Sequence, residues 1–308
     1  MPERHAVLSS PPLTWTIGDV TITRVEESII PLTAKVLVPD ATPAHVAAGA
    51  GWIEPYIEAP DDGDGHPVLR LSIHSFVVRT PDTVIVVDTC VGPDPDRGLP
   101  GDPAFVERLD DAIVGGLAAV DVVVCTHVHF DHVGWNTRVV DGRVVPTFPN
   151  ARYLVTRAEL EEVEADDHMD VRVPSLLPLA EAGVLHAIEL DEAPDGGDGV
   201  FRIDDHVELL STPGHTAGHV SVRIHDGGAE ALITGDAFHS PLQILDPTLA
   251  AWRFDTDSEQ STATRRRLLD RYCGTDAIVL GTHFAPPTAG HMVDGGHGTT
   301  RFEGIDGP

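Results

Sequence analysis

"VVVCTHVHFDHVGWN", residues 122–136, sets three histidines and an aspartate within six positions directly behind a run of valines. Consecutive valines without polar alternation read as a short strand buried on both faces. The polar cluster therefore falls on the loop leaving the strand's C-terminal end, where α/β folds build their sites. Imidazole and carboxylate together suit zinc, and His127 and His129, one residue apart on a turn, can present nitrogens to one ion. Asp131 and His132 follow where the backbone has turned, and can serve a second ion.

Outward from this stretch the sequence reads mainly as strands. "DVTITRVEES" (19–28), "LRLSIHSFVVRT" (69–80) and "TVIVVDT" (83–89) are rich in β-branched residues, the last two forming a hairpin. "DPAFVERLDDAIVGGL" (102–117) has helical spacing behind an Asp-Pro start. "RVVDGRVVPT" (138–147) is a hairpin with an Asp-Gly turn, "ARYLVT" (151–156) a strand, and "TRAELEEVE" (156–164) a helix capped by Thr156 with Glu159 three residues on. Strands follow at "GVFRI" (199–203), "VELLST" (207–212), "HVSVRI" (219–224) and "EALITGD" (230–236). A late helix, "DSEQSTATRRRLLDRYC" (257–273), precedes "AIVLGTH" (277–283). Such a mixture predicts two packed sheets with helices outside. Segments 31–66 and 166–178 and the proline-rich tail after 285 lack a clear period and are expected as loops over the site.

Three further polar residues each follow an apolar strand. They are His215 in "STPGHTAGH", Asp236 in "LITGDAFHS" and His283 in "IVLGTHF". Chain direction brings such strand ends to one rim.

"HVHFDH", "TPGHTAGH", "TGD" and "GTH", in that order, resemble the metallo-β-lactamase-fold hydrolase superfamily over about residues 70–285, nearest its branch of lactonases and methyl-parathion-hydrolase-like esterases. The resemblance implies an α/β fold, a four-layer αββα sandwich with two mixed β-sheets face to face and helices outside. Residues 1–308 would form a single domain, with an N-terminal extension (about 1–66) and a C-terminal tail (about 285–308) flanking the site. It implies two Zn²⁺, with Fe or Mn as alternatives in one or both positions. His127, His129 and His215 would hold the first ion, and Asp131, His132 and His283 the second, with Asp236 bridging both. Asp88, ending "VIVVD", and His219 would support the ligands, since ligating imidazoles need an acceptor on their other nitrogen. Two positions depart from the family pattern: Trp135 follows Gly134 where many relatives have a second glycine, and His239 stands where acyl-homoserine lactonases carry a tyrosine. His239 thereby joins Asp131 and Asp236 as a catalytic candidate. Trp52, Ile53 and Tyr56 in "GAGWIEPYIEAP", with Trp135, Phe238, Leu242 and Trp252, are candidate apolar walls of a substrate pocket. His74, His225, His291 and His297 receive no role.

Composition narrows the function. The 49 acidic residues against 20 basic ones give a formal charge of −29, which repels a phosphate backbone and argues against a nucleic-acid partner. Lys35 is the one lysine. No apolar run is long enough for a membrane span, and "MPERHAVLSSPPLTW" lacks the pattern of an export leader. Cys90, Cys125 and Cys273, an odd number without a CxxC pair, read as reduced thiols, so the expected location is cytoplasmic. The expected activity is hydrolysis of an ester or lactone, organophosphate and aryl esters included, in a small-molecule substrate; a homodimer is expected from the habit of relatives. The rival readings are a mononuclear iron persulfide dioxygenase, which shares most of the ligands, a glyoxalase-type thioester hydrolase, disfavoured by the acidic lysine-free C-terminal segment, and last a metal-bound module without catalysis.

Overall fold

The computed structural model describes residues 12–93, 99, 101–165, 172–191 and 199–305. The first half of the chain supplies β1 (Thr14–Ile17), β2 (Val20–Thr33), β3 (Ile57–Ala59), β4 (Val68–Arg79), β5 (Val84–Val87), β6 (Val122–Val124), the hairpin β7 (Thr137–Val140) and β8 (Arg143–Pro146), β9 (Arg152–Thr156) and β10 (Leu185–Ile188). All but the hairpin join one sheet in the order β1-β2-β4-β5-β6-β9-β10, with β3 also on β4. Its strands are antiparallel as far as β5, and β5, β6, β9 and β10 run parallel. The second half supplies β11 (Val200–Arg202), β12 (Val207–Ser211), β13 (Val220–Asp226), β14 (Ala229–Ile233), β15 (Ile278–Leu280), β16 (Ala289–Gly296) and β17 (Thr299–Ile305), which form the second sheet in sequence order. Only β14 and β15 pair in parallel within it. Both sheets are mixed, as the resemblance implies.

Alternation along each strand builds three apolar layers. Val122 and Val124 point between the sheets, where they meet Phe76, Val87, Leu209, Val222 and Ile233. Val123 points outward to helix Phe105–Ala112 through Phe105 and Leu109. On the far side Leu210, Leu232 and Val279 pack against Leu268 and Tyr272 of helix Ser258–Tyr272. Helix, sheet, sheet, helix is the αββα order. Asp257 starts the second helix by accepting a hydrogen bond from the Gln260 amide. Asp141 and Gly142, both at positive φ, form the β7–β8 turn.

Three expectations need correction. Segment 31–66 is not loop throughout: β2 runs on to Thr33, and helices Ala34–Leu37 and Pro43–Ala48 and strand β3 follow. Since β1 and β2 are integral strands of the first sheet, the N-terminal extension is part of the sandwich. The tail after 285 likewise completes the second sheet as β16–β17, with Met292 and Phe302 buried beneath it; its glycines and a bulge at Asp294/Gly296 hide the alternation. Within 166–178 the described part, from 172, is helical. No helix among the described residues is long and apolar enough to cross a membrane.

Candidate metal centre

Asp88 closes β5 in the left-handed region, at φ 57°. From there its carboxylate accepts the Thr126 amide at 2.8 Å and the Thr126 hydroxyl at 2.9 Å, and stands 2.9 Å from His132 Nδ1. The loops after β5 and β6 are also joined along their backbones, Gly134 N–H to Cys90 O at 2.8 Å and Trp135 N–H to Thr89 O at 2.9 Å. Gly134 permits this approach, since a Cβ there would sit 1.8 Å from the Val91 carbonyl oxygen. The cluster after β6 is thus held in shape before any ligand is considered.

Three rings meet on one side of it. His127 Nε2 lies 3.0 Å from His129 Nδ1, which lies 2.9 Å from His215 Nε2. On the other side His283 Nε2 is 3.7 Å from Asp131 Oδ2, and His132 Nε2 is 3.9 Å from Asp131 Oδ1. Asp236, at the turn after β14, lies between the two groups. Its Oδ2 is 3.8 Å from His127, 3.3 Å from His132, 3.4 Å from His215 and 3.2 Å from His239, while Oδ1 is 3.2 Å from His283. In each of four overlapping triads the donor atoms lie within 4.8 Å of one another: His127/His129/His215, His127/His132/Asp236, Asp131/His132/His283 and His215/Asp236/His239. All seven residues expected to ligate are brought together, and His239 with them.

The outward nitrogens have partners. His215 Nδ1 faces Asp255 Oδ1 at 3.1 Å, and His283 Nδ1 faces the Ser72 carbonyl at 2.9 Å. His219 accepts the Asp236 amide on Nε2 at 2.8 Å, so its proton sits on Nδ1, which faces Thr212 O at 3.0 Å. The inward atoms are different. His132 Nε2, Asp236 Oδ1 and both ring nitrogens of His239 are buried without a hydrogen-bond partner among the described residues. Unmet buried polar atoms are costly, and a cation is what a convergent set of imidazoles and carboxylates would satisfy. The donor set, nitrogen and carboxylate oxygen without sulfur, fits zinc and its neighbours in the first transition row.

Charge is distributed unevenly in the metal-free chain. Burial, added to by neighbouring imidazoles, holds His127 and His215 well below the usual histidine range, and burial also lowers His129. His132 is buried as deeply, yet Asp236, Asp88 and Asp131 together raise it well above that range, and Asp236 and Asp131 raise His283. Asp236 is held far below the carboxylate range despite its burial by His132, His283 and His239. Burial thus biases the rings of the first triad towards the neutral form, while the neighbouring aspartates bias His132 and His283 of the second towards the charged one.

Glu159 ties the two halves of the centre together. Its amide receives the cap from Thr156 at 3.3 Å, as expected from the sequence, but its carboxylate accepts the Val128 amide at 2.8 Å and the Gly218 amide at 2.9 Å. Val128 lies between two ligand histidines and Gly218 in the turn after His215. Burial pushes this carboxyl up to about 7. Glu159, Asp255 and Ser72 brace the histidine cluster, and sequence reasoning missed them. Asp255 carries no signal distinguishing it from the cap residue Asp257, and Ser72 acts through its backbone.

The expected pocket walls are mostly elsewhere. Tyr56, Ile53, Phe238 and Leu242 lie in the core outside the second sheet, Tyr56 donating to Pro287 O at 2.7 Å, with Trp52 half-buried against it. Trp135 packs under the first sheet on Phe105 and donates to Glu27 at 2.7 Å. These residues pack as core, so their part in a substrate pocket stays an expectation. Trp252 alone among them is exposed, at 62%, with its indole N–H on Asp40 at 3.1 Å.

Comparison with known proteins agrees with this geometry. The model of the Metallo-beta-lactamase superfamily matches residues 68–300. A probable metallo-hydrolase of Bacillus subtilis, YflN, is 28% identical over 148 residues, 46% of this chain and 53% of its own length. The chain spans about half the length of this and the next curated relatives it matches, 58% for the latter. An N-acyl homoserine lactonase of a Bacillus species is 28% identical over 235 residues, 70% of this chain and 82% of its own. Among solved structures, AidC, a dizinc quorum-quenching lactonase, superposes with a TM-score of 0.71 at 18% identity, covering 96% of this chain and 97% of its own. At that identity the likeness is one of fold.

Proposed function

Because the chain belongs to the metallo-β-lactamase superfamily, we propose that it is a dinuclear zinc hydrolase cleaving the ester or lactone bond of a neutral or weakly polar small molecule. The observation that carries this reading is the pair of triads sharing Asp236, with buried inward atoms that have no other partner. His127, His129 and His215 would hold one ion, Asp131, His132 and His283 the other, and Asp236 would reach both. When bound, two such ions polarise a carbonyl and bring the pKa of a water down towards ~7, which supplies the nucleophile. The remaining work belongs to the chain.

Asp88 and Asp255 fix the ring orientations of His132 and His215, and His219 holds the Asp236 backbone. His239, whose Nε2 lies 3.2 Å from Asp236, would protonate the departing oxygen. Its turn is held by Gln243, which accepts the His239 amide at 2.7 Å and donates to Leu249 O at 2.8 Å. A formal charge of −29 favours neutral substrates over polyanions. The lactonase relative and the dizinc lactonase neighbour support the choice of bond and metal.

Elemental analysis and turnover of the zinc-loaded protein on a panel of lactones and aryl esters test this reading. Two ions per chain and hydrolysis of at least one class are expected. No turnover of any member would refute the substrate assignment, and a single iron per chain would favour the persulfide dioxygenase reading instead.

A further inference from the structure

The β7–β8 hairpin stands apart from both sheets and lines a recess of about 660 Å³ that shares no residue with the histidine centre. Its register pairs Arg138 with Val145 and Val140 with Arg143. These four side chains therefore share one face, which lines the recess, and the two arginines are diagonal neighbours, about 7–8 Å apart at most. The opposite wall is apolar, with Pro149 and Val184, and Asp141 stands at the turn.

Two like charges placed together ordinarily draw a carboxylate, as single arginines do at several places in this chain: Arg24, Arg108, Arg202 and Arg223 each have one within 3.0 Å. Arg138 and Arg143 have none within 4.0 Å among the described residues, Asp141 included, and Arg138 Nε is buried without a hydrogen-bond partner. An arginine pair unmatched among the described residues, over an apolar floor, has the components of a site for an anion with an apolar body.

We propose that this recess binds an amphiphilic carboxylate, its head group between Arg138 and Arg143 and its hydrocarbon along Val140, Val145 and Val184. The site is separate from the histidine centre and does not depend on the hydrolase reading. An inorganic anion would use the guanidinium groups alone and leave the valines unfilled.

Calorimetric titration of decanoate, acetate and phosphate into the zinc-loaded full chain tests it. Decanoate should bind at least tenfold more tightly than either small anion. Arg138→Gln and Arg143→Gln should each weaken decanoate by about tenfold, and Val145→Asp likewise. His129→Ala, which disturbs the other centre, should leave decanoate binding intact. Arg143 is exposed on the hairpin, so its variant probes binding without burdening the fold; circular dichroism checks all four. The proposal is overturned if decanoate fails to bind, if both arginine variants bind it as the parent does, if phosphate matches it, or if His129→Ala abolishes it.

Discussion

Loading the metal-free protein with zinc at a pH below the raised values of His132 and His283 should expel at least two protons per chain. His132 and His283, raised by Asp236 and its neighbouring aspartates, hold protons that must leave before their Nε2 atoms can ligate. His127, His129 and His215, lowered by burial, have none to give. Ionisation of a water at the loaded centre adds one at most, so the count should fall between two and three. Each pH unit of acidification below the raised values should then cost about 2.7 kcal/mol of total binding, at ~1.36 kcal/mol per proton. Calorimetric zinc titrations in buffers of different ionisation enthalpy read the number directly. His283→Ala should reduce it by one. A count near zero, or one of four or five, would refute the assignment of charged and neutral rings.

The same two histidines make the metal-free fold sensitive to alkali. Their raised values contribute stability that is present in full below the unfolded value of ~6.5 and is lost as pH rises through the folded values. Denaturant melts of the metal-free chain should therefore weaken from about pH 6.5 upward beyond the change seen with zinc bound. Asp236→Asn should weaken binding at both positions, whereas His283→Ala should mainly empty one, and elemental analysis of the two variants separates these outcomes. Glu159→Ala leaves two buried amides unmatched and should destabilise the fold by roughly 2–6 kcal/mol, at ~1–3 each, read as a lower urea midpoint. Gly134→Ala forces a Cβ against the Val91 carbonyl and should cost roughly 1–3 kcal/mol and lower zinc occupancy, measured by melts and metal analysis.

That these seven side chains converge was readable in the sequence for a physical reason. Each follows an apolar strand, and in an α/β sandwich strand ends are where side chains from distant parts of the chain can meet. Asp88 and His219 were readable by the same rule, as groups that imidazole ligands and their turns require. Burial direction was not readable. Phe238 and Leu242 lie within a few residues of Asp236 yet turn into the outer core, because their local sequence is equally compatible with a pocket or with packing. Asp255 and Glu159 act across 40 and 59 residues on His215 and Gly218, separations over which periodicity carries no information. The strands β16 and β17 were obscured by glycines that serve their turn and bulge, and β1 and β3 are too short to show a period.

His127, His129, Asp131 and His132 belong to one leaf of the sandwich, and His215, Asp236 and His283 to the other. Whatever occupies the gap therefore acts as a rivet. Sliding one leaf past the other by a single residue would tear donors from the shared carboxylate while leaving every strand intact, so loss of bound metal should be the earliest sign of a slipped interface, before any change in circular dichroism.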